Sequence, residues 1–341
     1  MPRLPDLVSG FKALREIDLN SIRNQAEAQF HLAIIGDIGV GKSTLITQLL
    51  SGPGVSEPLN PVAISEQRLD QDLFVQSYGV VILMLDATRV EHPLEQQVFK
   101  KLHSYKVPII IAYNKSDLLE NPSATFNEAM RWPGSEVIAI TATDRQTLLR
   151  KLVPALLRIY KGREVLLARH LPLFREPVSR KLIEDTSFIN ASYSFATGLA
   201  EINLFFDLPL NFTDMVMLTK NQALMAYKIA LSFDLPSDWH ETIPKLATVV
   251  GTAFLWRLIA RQLVGLIPVF GIIPKVAVSY AGTYTVGQAI YHWCANNEKV
   301  NTRTLRSAFN QALEHGREVA HTMVTRRNSG LFDDSKGASS K

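Results

Sequence analysis

The chain has 341 residues, 47% of them hydrophobic and 20% charged, which is too apolar for a disordered chain and long enough for two domains. Lys and Arg total 36 against 32 Asp and Glu, a net charge of +4. That excess is too slight for a dedicated nucleic-acid binder, and no nucleic-acid partner is expected. The single cysteine, Cys294, excludes an internal disulfide and a cysteine-based zinc site, and fits a reducing cytosol. The opening MPRLPDLVSGFKALREIDLN has no apolar run of signal-peptide length, so a cytoplasmic location is expected.

Residues 11–30 carry apolar side chains at helical spacing, and 1–29 reads as an N-terminal helical segment. FHLAIIG (30–36) is a short apolar run ending in glycine, as in a buried strand. A Gly-rich turn comes next, then the helix KSTLITQLL. Proline and glycine at 52–62 mark a loop, and 63–78 is polar and ambiguous. Buried-strand patterns return at 79–87, 107–115 and 135–143, with amphipathic helices at 94–105 and 145–160. Strands alternating with helices predict an α/β domain with a mostly parallel sheet over 30–162. Beyond it there is no further strand pattern. Residues 163–327 read as all-helical and 328–341 as a disordered tail.

Gly36-Asp37-Ile38-Gly39-Val40-Gly41-Lys42-Ser43 matches G-x-x-x-x-G-K-[ST], between a strand and a helix. Glycines let backbone N–H groups curl round phosphate oxygens, the adjoining helix adds the positive end of its dipole, and Gly36–Ser43 with Thr44 are the expected phosphate-binding residues. Lys42 reaches the β- and γ-phosphates and the Ser43 hydroxyl ligates Mg²⁺ in such a loop. The pattern names a nucleoside triphosphate but not its base.

Asn114-Lys115-Ser116-Asp117 closes the third of these strands. It resembles the N-K-x-D motif of the P-loop GTPase superfamily, in its Era-like or translation-factor-related class. The resemblance implies that Asp117 accepts two hydrogen bonds from guanine, that the Lys115 stem lies on the base, and that Asn114 ties this loop to the phosphate loop. Thr141-Ala142-Thr143 is similar to the family's S-A-K loop, which contacts the guanine oxygen, with a departure at Thr143. GTP or GDP with Mg²⁺ are thus the expected ligands.

The family's first-switch Thr and its D-x-x-G are not found between Thr47 and Thr88. Asp86, ending VVILMLD, is the nearest candidate for a metal-binding acid, with Asp70 and Asp72 behind it. Catalytic residues are unassigned. Slow hydrolysis, partner-dependent hydrolysis and binding without turnover stay open, as does a nucleotide-stabilised scaffold. An ATPase or kinase needs Asn114–Asp117 to be coincidental.

Residues 246–297 form two apolar arms about a Pro268–Pro274 turn. At near twenty residues each they match a membrane-spanning hairpin. Arg257, Arg261 and the polar residues of 276–297 suit a buried hairpin in a soluble bundle equally well. The residues therefore admit two readings, a soluble bundle or contact with membrane lipid or a membrane protein, peripheral or integral at the inner face of the cell membrane. Asp214, Gln222, Met225, Pro268, Gly271 and Gly287 resemble the pattern of a YcjF-like bacterial domain of unknown function, often fused after a GTPase domain. The resemblance implies no activity.

Overall fold

The computed structural model describes residues 19–55, 64–70, 78–119, 132–203, 212–250, 272–297 and 300–337. Helix α1 (Leu19–Ala26) precedes β1 (Leu32–Gly36), α2 (Lys42–Leu49), β2 (Ile64–Arg68), β3 (Val80–Asp86), α3 (Pro93–Ser104), β4 (Ile109–Asn114) and β5 (Glu136–Ala139). A helical run from Arg145, with π-helical geometry over Leu148–Leu152, leads into α4 (Val153–Ile159). Then come α5 (Glu164–His170), α6 (Arg175–Asn203), α7 (Phe212–Ser232), α8 (Trp239–Val250), α9 (Ile272–Asn296) and α10 (Thr302–Gly337).

The strands form one five-stranded sheet in the order β2-β1-β3-β4-β5. Every ladder is parallel. β1, β3 and β4 are buried at every position except Asp86, as expected of strands covered on both faces. Ala33, Ile35, Val81, Leu83 and Leu85 meet Val98, Phe99 and Leu102 of α3, with Trp132 closing that side. From β1 the chain passes to β2 on one side and then to β3 on the other. The crevice at the carboxyl ends of β1 and β3 is therefore a topological switch point, where such sheets bind ligands.

Two compact units divide between Val178 and Ser179, inside α6, rather than near residue 162 as the composition suggests. Residues 163–178 are helical in pattern but pack on the sheet unit. Leu171, Leu173 and Phe174 are fully buried, Arg175 Nη1 donates to the Pro53 carbonyl at 2.9 Å, and Phe30 stacks on His170. Of the expected N-terminal helix, 1–18 lies outside the described residues, and the helix ends at Ala26.

The second unit is helical. α9 is its central element, packed against α7, α8 and α10. Tyr280, Ala281, Val286 and Ile290 share a core with Ile183 of α6, Ile229 of α7 and Phe309 of α10. The small residues Ala277, Ala281, Thr285 and Ala289 are all buried, so the stripe that would suit a membrane helix serves close packing inside a bundle. Asn190 anchors a polar seam through this core. Its Nδ2 donates to Thr283 Oγ1 at 2.9 Å, its Oδ1 accepts from Asn221 at 2.7 Å, and its carbonyl accepts from Ser279 at 3.0 Å.

As for the two readings of 246–297, the second arm, 276–297, packs as a helix within the bundle. Among the described residues no helix is long and apolar enough to cross a membrane. Of the first arm, 251–271 lies outside the described residues. The tail beyond 328 differs from the expected disorder, because α10 continues to Gly337.

Candidate functional site: a phosphate loop and a base-binding corner

The loop Gly36–Ser43 leaves the buried end of β1 and opens α2. Gly41 caps that helix at φ 99°, a left-handed conformation that side chains disfavour. A Cβ there would also lie 2.4 Å from Asn114 Nδ2, so both backbone shape and close approach require glycine. Lys42 is buried, and its Nζ donates to the carbonyls of Gly36 at 3.1 Å and Asp37 at 2.8 Å. The ammonium is thereby held against the phosphate loop itself.

Asn114 is the hinge pin of the site. It ends β4, is buried, and uses both ends of its amide. Nδ2 donates to the Val40 carbonyl at 2.8 Å, and Oδ1 accepts from the Ala142 N–H at 2.7 Å. One side chain therefore joins the phosphate loop, the Asn114–Asp117 turn and the Thr141–Thr143 turn. The Ser116 N–H adds a bond to the Ile140 carbonyl at 3.2 Å, and Thr141 Oγ1 donates to Asp117 Oδ1 at 3.0 Å. Lys115 sits at φ 64°, which turns the chain out of the sheet between Asn114 and Asp117. Thr143 is exposed beside buried Ala142.

Asp86 ends β3 next to this corner. Its Oδ2 accepts from Lys115 Nζ at 2.6 Å, and its Oδ1 accepts from the Thr88 hydroxyl at 2.6 Å and amide at 3.0 Å. Burial pushes its carboxyl up, but the bonds from Lys115 and Thr88 outweigh it and hold the group below the ordinary carboxylate range. Asp86 thus orients Lys115. Asp37 is engaged by Arg89 at 2.7 Å and by the Ile38 amide at 2.7 Å, and these bonds, Arg89's first, lower its pKa.

The acid beside Ser43 is one that the sequence pattern did not single out. Ser43 Oγ donates to Glu66, with both carboxylate oxygens in reach at 3.0 and 3.2 Å. Glu66 comes from β2, the edge strand next to β1. Of the three acids that the sequence offers, Asp86 is bonded to Lys115, Asp70 pairs with Arg68 at 3.2 Å, and Asp72 lies outside the described residues. No local signal marks it, since Ile64-Ser65-Glu66-Gln67-Arg68 has a single apolar residue and no alternation, and Glu66 meets Ser43 only through the β1–β2 ladder. Hydroxyl and carboxylate oxygens are the hard donors that Mg²⁺ takes, so Ser43 and Glu66 fit that ion. Among the described residues no group of three or more His, Cys, Asp or Glu could hold a metal.

No protein-family model matches the chain, and no curated protein matches it. Among solved structures it is similar to a probable GTP-binding protein, EngB, at 17% identity and TM-score 0.30, covering 39% of this chain and 99% of that one. It is also similar to Era, solved in complex with MgGDPNP and nucleotides of 16S ribosomal RNA. Identity there is 16% and the TM-score 0.31, covering 41% of this chain and 65% of that one.

Proposed function

We propose that the sheet unit binds guanine nucleotides, GTP and GDP, together with Mg²⁺. The carrying observation is the Asn114 amide, which bonds to Val40 of the phosphate loop and to Ala142 of the third turn. A loop that fits phosphates and a turn whose Asp117 fits guanine are thereby fixed to one another. Asp117 would accept the guanine N1–H and 2-amino hydrogens, a donor pair that adenine lacks. Lys115, held by Asp86, would lay its stem on the base. Lys42 would bond to the β- and γ-phosphates. Mg²⁺, when bound, neutralises charge on the phosphate oxygens. Ser43 would hold it directly, and Glu66 would orient the Ser43 hydroxyl toward it.

Turnover on this reading is slow for the chain alone. Among the described residues no glutamine or histidine hydrogen-bonds to Gly36–Ser43, and Arg89 is tied to Asp37. Among those residues, the groups that would position water or neutralise a leaving phosphate are not assembled.

The test is displacement of a fluorescent GDP from the purified chain. GDP and GTP should compete, ADP should be at least about 100-fold weaker, and Lys42→Ala should abolish retention. Glu66→Gln should weaken the Mg²⁺ dependence of GTP-analogue binding about tenfold while leaving Mg²⁺-free binding unchanged. Equal competition by ADP would sink the guanine reading, and an unaltered Mg²⁺ titration would remove Glu66 from the site.

A further inference from the structure

The helical unit contains a cavity of about 630 Å³ between α6, α9 and α10. That is within the roughly 300–1,000 Å³ span of small-molecule sites. Three kinds of wall meet in it. Tyr280 and Tyr284 of α9 line one side, their rings nearly parallel with centroids 6.3 Å apart. His315 of α10 meets Tyr280 edge-on at 5.3 Å. From α6 come Phe188, half-exposed, and the carboxylates of Glu184 and Asp185.

Two polar groups at this cavity have no protein partner among the described residues. Tyr280 is 4% exposed, yet its hydroxyl has no hydrogen-bond partner among the described residues. Because Tyr280 lines the cavity, its hydroxyl is open to a ligand as donor or acceptor. Burial first, and then Glu184 and Tyr284, push the Tyr280 phenol up to about 12, so it stays neutral and can both donate and accept. Glu184 is exposed to solvent and has no cationic partner among the described residues. Asp185, by contrast, is paired with Lys181 at 2.7 Å.

No lysine or arginine is among the residues lining the cavity. An anion would meet Glu184 and the negative faces of the tyrosine rings. A wholly apolar ligand would use neither Glu184 nor the Tyr280 hydroxyl. A metal ion lacks a donor cluster among the described residues. What satisfies all the walls is a positive charge spread over carbon. Ring faces attract it, a carboxylate neutralises it, and a phenol oxygen accepts its N–H.

We propose that this cavity binds a small organic cation, an ammonium or guanidinium group on an apolar or aromatic body. The test is calorimetric titration of the full chain with phenylethylamine and with phenylethanol, its uncharged counterpart. The amine should bind saturably with one site, about tenfold or more tighter than the alcohol. Glu184→Gln keeps the side-chain shape and should erase that difference. Tyr284→Ala should weaken the amine, with circular dichroism confirming that the helices remain. Glu314→Gln, an exposed acid on α10 outside the cavity lining, should change nothing and so separates the site from general surface charge. Absence of saturable amine binding at millimolar concentration, equal binding of the alcohol, or equal effects of Glu184→Gln and Glu314→Gln would each overturn the proposal.

Discussion

Asp86 is held between two opposing effects, burial that disfavours its charge and three hydrogen bonds that favour it, and the bonds prevail. Its folded carboxyl titrates below the unfolded one, so its contribution to stability is present above the unfolded value near 4 and is lost as pH falls through the folded value. Urea denaturation from pH 6 down to about pH 2.5 should therefore show the wild type losing stability more steeply below pH 4 than Asp86→Asn. Parallel curves would mean that the Lys115 bond adds nothing to folding. Residues of this kind differ in how far the sequence reveals them. Gly41, Lys42, Asn114 and Asp117 are legible because their roles depend on fixed spacing along the chain. Glu66 is not. Its partner Ser43 is brought to it by the β1–β2 ladder, which sets Ile34 opposite Glu66, and no local pattern encodes that pairing.

Among the elements, β2 explains why the sheet has one more strand than the apolar runs suggest. β1, β3 and β4 lie in the interior and read as continuous apolar runs. β2 is an edge strand with Ser65, Glu66 and Arg68 in it, and only Gln67 is buried. The helix α10 shows the converse. Periodicity detects the stretch that packs, with Leu305, Phe309, Ala312 and Ala320 in the core, but not the polar continuation to Gly337, which has no apolar stripe to announce it. The contact between α9 and α10 is set by Gly316, where an added Cβ would lie 2.8 Å from the Ala277 carbonyl oxygen and 3.0 Å from its Cα. Both are backbone atoms and cannot rotate aside. Gly316→Ala should therefore cost about 1–3 kcal/mol by separating the helices, despite the better helix propensity of alanine. A stabilised variant in chemical denaturation would show that the two helices can part without penalty.

The molecule as a whole folds round two cores. One is the sheet with its buried Ile34, Ile82 and Ile110. The other is the bundle about α9. The loops proposed to bind nucleotide lie wholly in the first. Calorimetric unfolding should show two transitions, with saturating GDP and Mg²⁺ raising only that of the sheet unit, because a ligand stabilises what it binds. A single transition moved as a whole by GDP would show the units to be one cooperative body. The division at Val178 is hidden in the sequence because residues 163–178 are as helical in pattern as the residues C-terminal to them. Only their burial against Pro53 and Phe30 assigns them to the sheet unit. The bundle of the second unit is legible as helices, whereas its small-residue stripe fits a lipid face and a protein core alike. Only the packing of α9 distinguishes them.

Everything proposed for the sheet unit turns on Asp117 reading guanine just beyond the end of β4. The most direct test compares GDP and xanthosine diphosphate on the wild type and on Asp117→Asn. Xanthine carries a carbonyl where guanine has its 2-amino group, so an amide in place of the carboxylate restores a donor–acceptor match. The wild type should prefer GDP and Asp117→Asn should reverse the preference, with at least about a 100-fold change in the ratio. An unchanged ratio would contradict the assignment of this corner as a guanine site.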